Sequence, residues 1–263
     1  RGERQRAAAP ALASVRARLR FILLGLAAFV IALLVVFPAA WLKGLLPPQL
    51  TCGSISGSIW RGQCNALAFT APGQPALRLD SLDWRLHPLA LLRARVQVDI
   101  AATGNDLAAR GVLTANSGGY IEVAGLSGSI GLDHSRLAAL PAGWSARAEA
   151  SNLSLGLSGG HITALGGVLL ARQLRDARGT GFGDFRLEFP RQEAAPFRGT
   201  LADTGGPMQL RSQLVLNADQ SWQLGGTVVL RPGSPQGLAA ALDQLAPADL
   251  NGVRNFRLEG SAN

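Results

Sequence analysis

The sequence predicts a mainly β protein, in which a single N-terminal transmembrane helix precedes a long, curled antiparallel β-sheet. We expect this sheet to form a partly open, barrel-like roll with a few short connecting helices. Three observations predict it: an apolar run near the N-terminus, alternation of apolar and polar residues along many later segments, and frequent turn-forming residues, with 32 glycines and 14 prolines. A β-sandwich is the alternative fold.

The N-terminal part of the chain predicts a membrane anchor. Residues 1–20 carry six arginines against one glutamate, and residues 21–42 form a run of 22 residues without a charge. At about 1.5 Å per residue, a helix of this length spans a hydrocarbon core of about 30 Å. Because cations mark the cytoplasmic side of a span, residues 1–20 should be cytoplasmic. A cleavable signal peptide is the alternative, although its apolar region would be shorter.

The residues after the anchor are expected on the opposite side of the membrane. Residues 43–50, KGLLPPQL, predict a short spacer, since two adjacent prolines stop a helix. Residues 51–263 then form one β domain, which in a bacterium lies in the periplasm and belongs to a single-pass inner-membrane protein. The net charge of +8 is concentrated in residues 1–20, so a nucleic-acid partner is not expected.

The two cysteines predict a disulfide. Cys52 and Cys64 are twelve positions apart and lie on the side expected to be oxidising. Zinc is the weaker alternative, because His87, His134 and His161 show no metal-ligand spacing to the pair.

Period-two alternation is clearest at residues 96–100, 146–150 and 185–189, which places apolar side chains on one face and charges on the other. The other predicted strands lie near residues 52–60, 66–70, 76–86, 108–114, 120–130, 153–157, 162–172, 207–211, 214–216, 222–230 and 256–258. Short helices are predicted at residues 87–95, 135–140 and 235–245. The close spacing of about a dozen strands favours antiparallel connections.

The tetrapeptide SGSI occurs twice, at residues 56–59 and 127–130. We expect each copy to bury its isoleucine, Ile59 or Ile130, in a strand. The small neighbours would permit a bend or bulge without a clash.

No segment predicts catalysis, a metal site or a cofactor. Residues 156–160, GLSGG, match a nucleophile motif around Ser158, but a strand rather than a helix follows, so a hairpin turn is favoured and His161 is a loop residue. Residues 179–183, GTGFG, predict a turn instead of a phosphate loop. Asp80 and Asp83 are a weak candidate for paired carboxylates. The chain is therefore not expected to be an enzyme.

Two motifs and the C-terminal segment resemble a known family, the type II secretion system protein N (general secretion pathway protein N) family. The first motif, SGS-[LI]-W-x-G, matches residues 56–62, and the second, W-R-L-x-P-L-x-L-L, matches residues 84–92; a D-x-x-G turn at residues 249–252 precedes a terminal strand. The motif residues have a structural character and are Ser56, Gly57, Ser58, Trp60, Gly62, Trp84 and Pro88. His87 departs from the basic residue, usually arginine, expected before the proline.

The resemblance implies an inner-membrane platform subunit of the type II secretion system. Its role would be non-catalytic, in assembly or coupling during the export of folded proteins across the outer membrane. The implied partners are other platform proteins and the secretin, beside the phospholipid bilayer that holds the anchor. The alternative is a membrane-anchored periplasmic module that binds a lipid or another hydrophobic ligand, which the one-sided apolar face would accommodate. A membrane-tethered hydrolase would rest on Ser158 alone.

Overall fold

The structure is a computed structural model that describes residues 25, 37–44, 47–70, 77–133, 140, 142–235, 237–243 and 246–261. Within these residues no helix is long and apolar enough to cross a membrane. Three predicted segments lie outside the described residues: the predicted cytoplasmic segment 1–20, most of the predicted transmembrane segment 21–42, and the predicted helix 135–140 except Leu140.

The described end of segment 21–42 is not α-helical. Pro38 forms an isolated β-bridge with Ser58, and a 3-10 helix (Ala39–Gly44) follows. Proline lacks the N–H that an α-helix uses and disfavours the helical conformation in the residue before it. An α-helix that reached Phe37 would therefore stop there.

Thirteen strands form one sheet in which each strand pairs antiparallel with its neighbours in the chain. Among the described residues β1 does not pair with β13, so the sheet is one open meander and neither a closed barrel nor two layers of a sandwich. The strands are β1 (Leu50–Gly57), β2 (Arg61–Phe69), β3 (Leu77–Leu86), β4 (Arg95–Gly104), β5 (Leu107–Asn116), β6 (Tyr120–Asp133), β7 (Ser145–Ser158), β8 (His161–Arg175), β9 (Gly181–Gln192), β10 (Phe197–Gly205), β11 (Met208–Leu216), β12 (Ser221–Leu230) and β13 (Val253–Ser261).

Two short α-helices connect strands. The first, α1 (Pro88–Leu91), has proline in its first turn and ends early, because Ala94 adopts a φ of 52° before β4 begins. The second, α2 (Leu238–Asp243), covers part of the predicted helix 235–245. The helix α1 is shorter than the predicted helix 87–95, while residues 236, 244 and 245 of the second prediction lie outside the described residues.

The predicted separation of apolar and polar faces extends across the whole sheet. One row of directly paired residues crosses all thirteen strands without a charge: Ile55, Cys64, Leu82, Ala102, Ala109, Gly128, Ala150, Leu169, Leu187, Leu201, Ser212, Gly226 and Phe256. The adjacent row on the other face is mainly polar or charged: Ser54, Asn65, Ser81, Thr103, Ala108, Ser129, Glu149, Leu170, Arg186, Ala202, Arg211, Thr227 and Asn255. We call these the apolar face and the polar face.

The second half of the sheet is curled. Gln220 Nε2 donates a hydrogen bond to the carbonyl oxygen of Gly160 at 3.4 Å. These residues lie in the β11–β12 and β7–β8 turns, which are four strand spacings apart and would be about 19 Å apart in a flat sheet. One glutamine side chain cannot span that distance, so the sheet bends between β8 and β12.

The apolar face is buried at three places. One cluster lies on β1 and β2 and contains the cysteines, a second joins β8, β9 and β10, and a third lies under α2. The buried members are Cys52, Cys64, Leu67; Leu165, Phe189, Phe197; and Met208, Val228, Leu238, Ala246, Phe256. No residue of β4, β5 or β6 is fully buried, so their apolar side chains are only half-covered in the described part of the chain.

An ion pair between a buried arginine and an exposed aspartate fixes α2 on the last strand. Arg254 points to the apolar face and is 6% exposed. Its Nε and Nη2 donate to Asp243 Oδ1 on α2 at 2.9 Å and 2.6 Å. Since a buried guanidinium without a partner would be costly, this contact ties the helix to β13.

Both SGSI copies occupy positions where strands approach too closely for a larger residue. A Cβ on Gly57, whose φ is +89°, would lie 2.5 Å from the Arg61 carbonyl oxygen, and one on Gly128 would lie 2.6 Å from Ala109 Cα. A β-bulge lies beside the second copy, between Leu126 and Gly128. The predicted role of the small residues is therefore confirmed at both copies. The predicted burial of the isoleucines is not: Ile59 lies in the β1–β2 turn rather than in a strand, and Ile59 and Ile130 are only half-buried.

One strand, β10, is missing from the sequence-based prediction. The alternation of apolar residues from Phe197 to Leu201 is interrupted at Gly199. The ring of Phe189, on the neighbouring strand β9, fills the space that a side chain at Gly199 would occupy. A Cβ on Gly199 would lie 2.7 Å from Phe189 Cε1. Trp84 covers Gly62 and Trp222 covers Gly260 in the same way. Alternation cannot reveal a side chain supplied by the neighbouring strand.

Two predicted pairs of strands are single strands in the structure. Segments 146–150 and 153–157 both belong to β7, which continues through a bulge at Asn152 with a φ of 50°. Segments 207–211 and 214–216 both fall on β11. A break in the alternation thus marks a bulge in β7 rather than a turn.

The predicted disulfide between Cys52 and Cys64 is confirmed, with a Cα–Cα distance of 6.0 Å. Cys52 lies opposite Leu67 and Cys64 opposite Ile55, so the bridge crosses the β1–β2 hairpin diagonally. It closes a short loop at the edge of the sheet, where β1 has a strand partner on one side only.

Replacing both cysteines by alanine should open this hairpin selectively. Loss of the loop constraint is expected to lower the free energy of opening the β1–β2 hairpin by about 3 kcal/mol. Hydrogen–deuterium exchange of the purified protein should accelerate in peptides from β1 and β2 and stay unchanged in peptides from β11 to β13. Equal exchange in the two proteins would contradict a stabilising role of the bridge.

Replacing Gly199 by alanine should destabilise the protein by about 1–3 kcal/mol, because the added methyl group displaces the buried Phe189 ring. Gly225→Ala is the matched control, since its Cβ would meet only the Phe256 carbonyl oxygen at 3.8 Å. The control should change the free energy of unfolding by less than about 0.5 kcal/mol. Urea unfolding of both variants measures the difference, and similar effects would refute the packing argument.

Candidate functional site

The first motif, residues 56–62, forms the turn between β1 and β2. The Ser58 backbone N–H donates to the Arg61 carbonyl oxygen at 2.9 Å, and the Arg61 N–H donates to Ser58 Oγ at 3.2 Å. Gly57 supplies the left-handed conformation that starts this turn. The serines and glycines of the motif therefore shape backbone and carry no reactive group.

The second motif begins at the end of β3 and packs on the first. The Trp84 indole covers Gly62, and its Nε1 donates to the Ile59 carbonyl oxygen at 3.2 Å. The Leu86 N–H donates to the Trp60 carbonyl oxygen at 2.7 Å. We call residues 56–62 and 84–88 the motif corner, since two segments distant in sequence meet there.

Contacts of His87 extend the motif corner to β4. The His87 N–H donates to the Gln97 carbonyl oxygen at 2.9 Å, and His87 Nε2 lies 2.9 Å from Asp99 Oδ2. Pro88 then starts α1. His87 therefore links the corner to the next strand.

The segment that follows the predicted anchor is fixed to the same corner. Pro38 forms its bridge with Ser58, and the Ile59 N–H donates to the Phe37 carbonyl oxygen at 3.1 Å. Ala39, the first residue of the 3-10 helix, is fully buried. The corner therefore joins the β-sheet to the chain that enters from the predicted anchor.

An open groove of about 560 Å³ lies beside the corner and crosses β2 to β6. Its charged lining residues are Arg61, Asp83, Arg85, Asp99 and Arg110. Arg61 and Arg85 lie directly opposite each other on β2 and β3, an arrangement of like charges that costs stability. Among the described residues, the three arginines form no ion pair. This arrangement can attract an anionic group, but it contains no paired acid and base for a reaction.

Sequence reasoning did not foresee this convergence of arginines. Arg61, Arg85 and Arg110 are far apart in sequence, and only the successive pairing of β2, β3, β4 and β5 brings them together. The single local signal is that each occupies a polar position in an alternating segment.

The candidate catalytic residues do not form a catalytic arrangement. Ser158 and His161 are directly paired across the β7–β8 hairpin, and Gly159 and Gly160 between them have φ values of +56° and +82°. Two glycines with positive φ form a tight hairpin turn, as predicted, and strand β8 follows in place of a helix. The prediction of His161 as a loop residue is wrong, because His161 is the first residue of β8. Asp80 and Asp83 both lie on β3 and are exposed.

The GTGFG segment at residues 179–183 combines a turn with the first residues of β9. Gly179 has a φ of +80° in the turn, and Gly181 begins the strand. A phosphate loop would be followed by a helix. The predicted turn is confirmed for the first part of the segment only.

Metal ligands and shifted pKa values do not mark a reaction centre in the residues that the structure describes. No group of three His, Cys, Asp or Glu side chains could hold a metal ion in these ranges. Hydrogen bonds from the Ser221 hydroxyl and N–H hold the pKa of Asp219 below its usual value in the β11–β12 turn. Burial, followed by the neighbouring Glu122 carboxylate, raises the pKa of Tyr120. These shifts arise from local turn and strand contacts.

Comparison with known proteins supports the interpretation of the motifs. No curated protein and no solved structure shows a detectable similarity to the chain. Residues 48–257 match the model of the family described as type II secretion system (T2SS), protein N. This match covers the sheet from β1 to most of β13, including the motif corner. The chain therefore belongs to the type II secretion system protein N family, and it takes part in type II secretion.

Proposed function

We propose that the chain is a non-catalytic subunit of the inner-membrane platform of the type II secretion system. Residues 21–42 hold it in the membrane with residues 1–20 in the cytoplasm, and the sheet extends into the periplasm. There the sheet assembles or couples other secretion components during the export of folded proteins across the outer membrane.

The observation that carries this proposal is the motif corner. Its two motifs make up the family signature, and their side chains and backbone groups bind each other and residues 37–38. A signature used in this way holds a large domain in a defined position relative to its anchor. That is the requirement for a scaffold subunit, and it needs no reactive group.

The open edge of the sheet is suited to a protein partner. Among the described residues β13 pairs only with β12, so the other edge of β13 presents unpaired backbone N–H and C=O groups. Such an edge accepts an added strand from another protein. The opposite edge, β1, is contacted by the 3-10 helix near the motif corner. We therefore place a partner of the platform or the secretin at β13.

Deletion of the chain should impair secretion of folded proteins and leave the phospholipid composition unchanged. A photo-crosslinking amino acid at Arg257 or Glu259 on β13 should then capture other secretion subunits in living cells. The matched control carries the crosslinker at Arg186, which lies on the same polar face but in the middle of the sheet. The edge positions should give several-fold more crosslinked product.

Intact secretion in the deletion strain would refute a role in export. Crosslinks of equal yield at Arg186 and Arg257 would refute the edge as the partner site, while leaving the role in secretion standing. The two measurements therefore test the function and its surface separately.

A second candidate function, binding of a lipid or another hydrophobic ligand, is favoured by one observation. Strands β4 to β6 present apolar side chains such as Val98, Leu113 and Val123 that are only half-buried. An acyl chain could cover them. Native mass spectrometry of the protein after gentle release from detergent should then show a bound lipid, and a ligand-free mass would exclude this alternative.

A further inference from the structure

The strand ends around the motif corner share one end of the sheet, which we call the anchor end. The β1–β2 turn, the α1 loop (residues 87–94) and the β5–β6 turn all lie there, because the strands alternate in direction. The described chain also enters there, since Phe37 accepts its hydrogen bond from Ile59. This end is therefore next to the predicted anchor.

Exposed apolar side chains are concentrated at the anchor end. Leu89 and Leu92 in the α1 loop are 76% and 84% exposed, and Leu91 beside them is exposed as well. Val96 and Ile121, in the last row of the apolar face, are each 43% exposed. Single exposed apolar residues are common, but five at one end of a sheet indicate a contact surface.

No packing requirement explains the leucines of α1. This helix has four residues and buries none of them. The β3–β4 connection could be closed by a polar turn, since His87 and Gln97 already hydrogen-bond across it. Three exposed leucines in such a loop therefore indicate a contact with a molecule outside the described chain.

Arginines outnumber carboxylates around the α1 loop. Residues 56–63 and 84–98 contain Arg61, Arg85, Arg93 and Arg95, and the carboxylates Asp83 and Asp99 flank the second range. Within the described residues none of these four arginines forms an ion pair. Leucines surrounded by unpaired arginines match a bilayer surface, where apolar side chains enter the acyl boundary and guanidinium groups bind lipid phosphates.

We propose that the anchor end is a second membrane contact, in which the α1 loop inserts its leucines into the surface of an anionic phospholipid bilayer. Arg93 and Arg95 bind the phosphates beside them. The contact holds the sheet at a fixed orientation above the membrane, in addition to the predicted anchor. This inference rests on the membrane attachment in the proposed function.

The test uses the full-length protein in nanodiscs that hold one copy each, made of equal parts phosphatidylcholine and phosphatidylglycerol. Cys52 and Cys64 are the only cysteines and are bridged, so one introduced cysteine is the only free thiol. An environment-sensitive fluorophore is attached at Leu92→Cys. The matched control is Leu250→Cys, a leucine with 106% exposure at the opposite end of the sheet.

Nitroxide-labelled lipids should quench the fluorophore at position 92 several-fold more than the one at position 250, and aqueous iodide should show the reverse order. Both positions are on the surface, so both variants should unfold at the same temperature as the parent. Equal iodide quenching at the two positions, without lipid quenching at position 92, would overturn the proposal. Shielding of position 92 only after another protein copy or subunit is added would overturn it as well.

The electrostatic part has its own test. Arg93→Gln combined with Arg95→Gln should reduce lipid quenching at position 92 in nanodiscs that contain phosphatidylglycerol, and high salt should have the same effect. In nanodiscs made of phosphatidylcholine alone, lipid quenching at position 92 should be equal in this variant and in the protein that keeps both arginines. Equal quenching in all these cases would overturn the role of the arginines. A secretion defect on deletion would remain valid in any of these outcomes, so failure of this inference differs from failure of the proposed function.

Discussion

An antiparallel sheet built only from chain neighbours must bury one face of every strand without help from a second sheet, and this constraint shapes the rest of the molecule. The row from Ile55 to Phe256 stays uncharged over all thirteen strands. Curling brings parts of that face together, as the contact between Gln220 and Gly160 shows. Elsewhere the disulfide cluster and α2 cover it locally. The middle strands remain half-covered, which leaves room for a partner or ligand.

Small residues make this curled sheet possible. Where backbones approach closely, as at Gly128, a side chain would collide with the neighbouring strand. At Gly199 and Gly62 the missing side chain is replaced by an aromatic ring from the next strand. Each ring covers the glycine of the neighbouring strand, so the apolar face stays packed although the glycine has no side chain. The absence of that side chain lets the sheet curve at this point. The high glycine content of the chain therefore follows from its geometry.

The two sequence motifs and the segment that follows the predicted anchor meet at one end of the sheet. Trp84, Gly62 and Ser58 lock β1, β2 and β3 to the segment that leaves the predicted anchor. The proposed scaffold role rests on this attachment at one end and on the β13 edge, which is open among the described residues. The motif residues contact one another, so their side chains and backbone groups hold the corner in position. The arginines and leucines beside them carry the charge and apolar area that contact with a bilayer requires.

The sequence by itself determined the β class, the antiparallel connections, the two-faced strands and the Cys52–Cys64 bridge, because alternation and cysteine spacing are local properties of the chain. It also contained the family motifs. Only the tertiary structure decided that β10 is a strand, since Phe189 on another strand fills the place beside Gly199. The convergence of Arg61, Arg85 and Arg110 likewise depends on strand register, and so does the packing of Trp84 on Gly62. Register depends on the geometry of each turn and on the bulges in the β5–β6, β6–β7 and β7–β8 pairs, which an alternation pattern does not record.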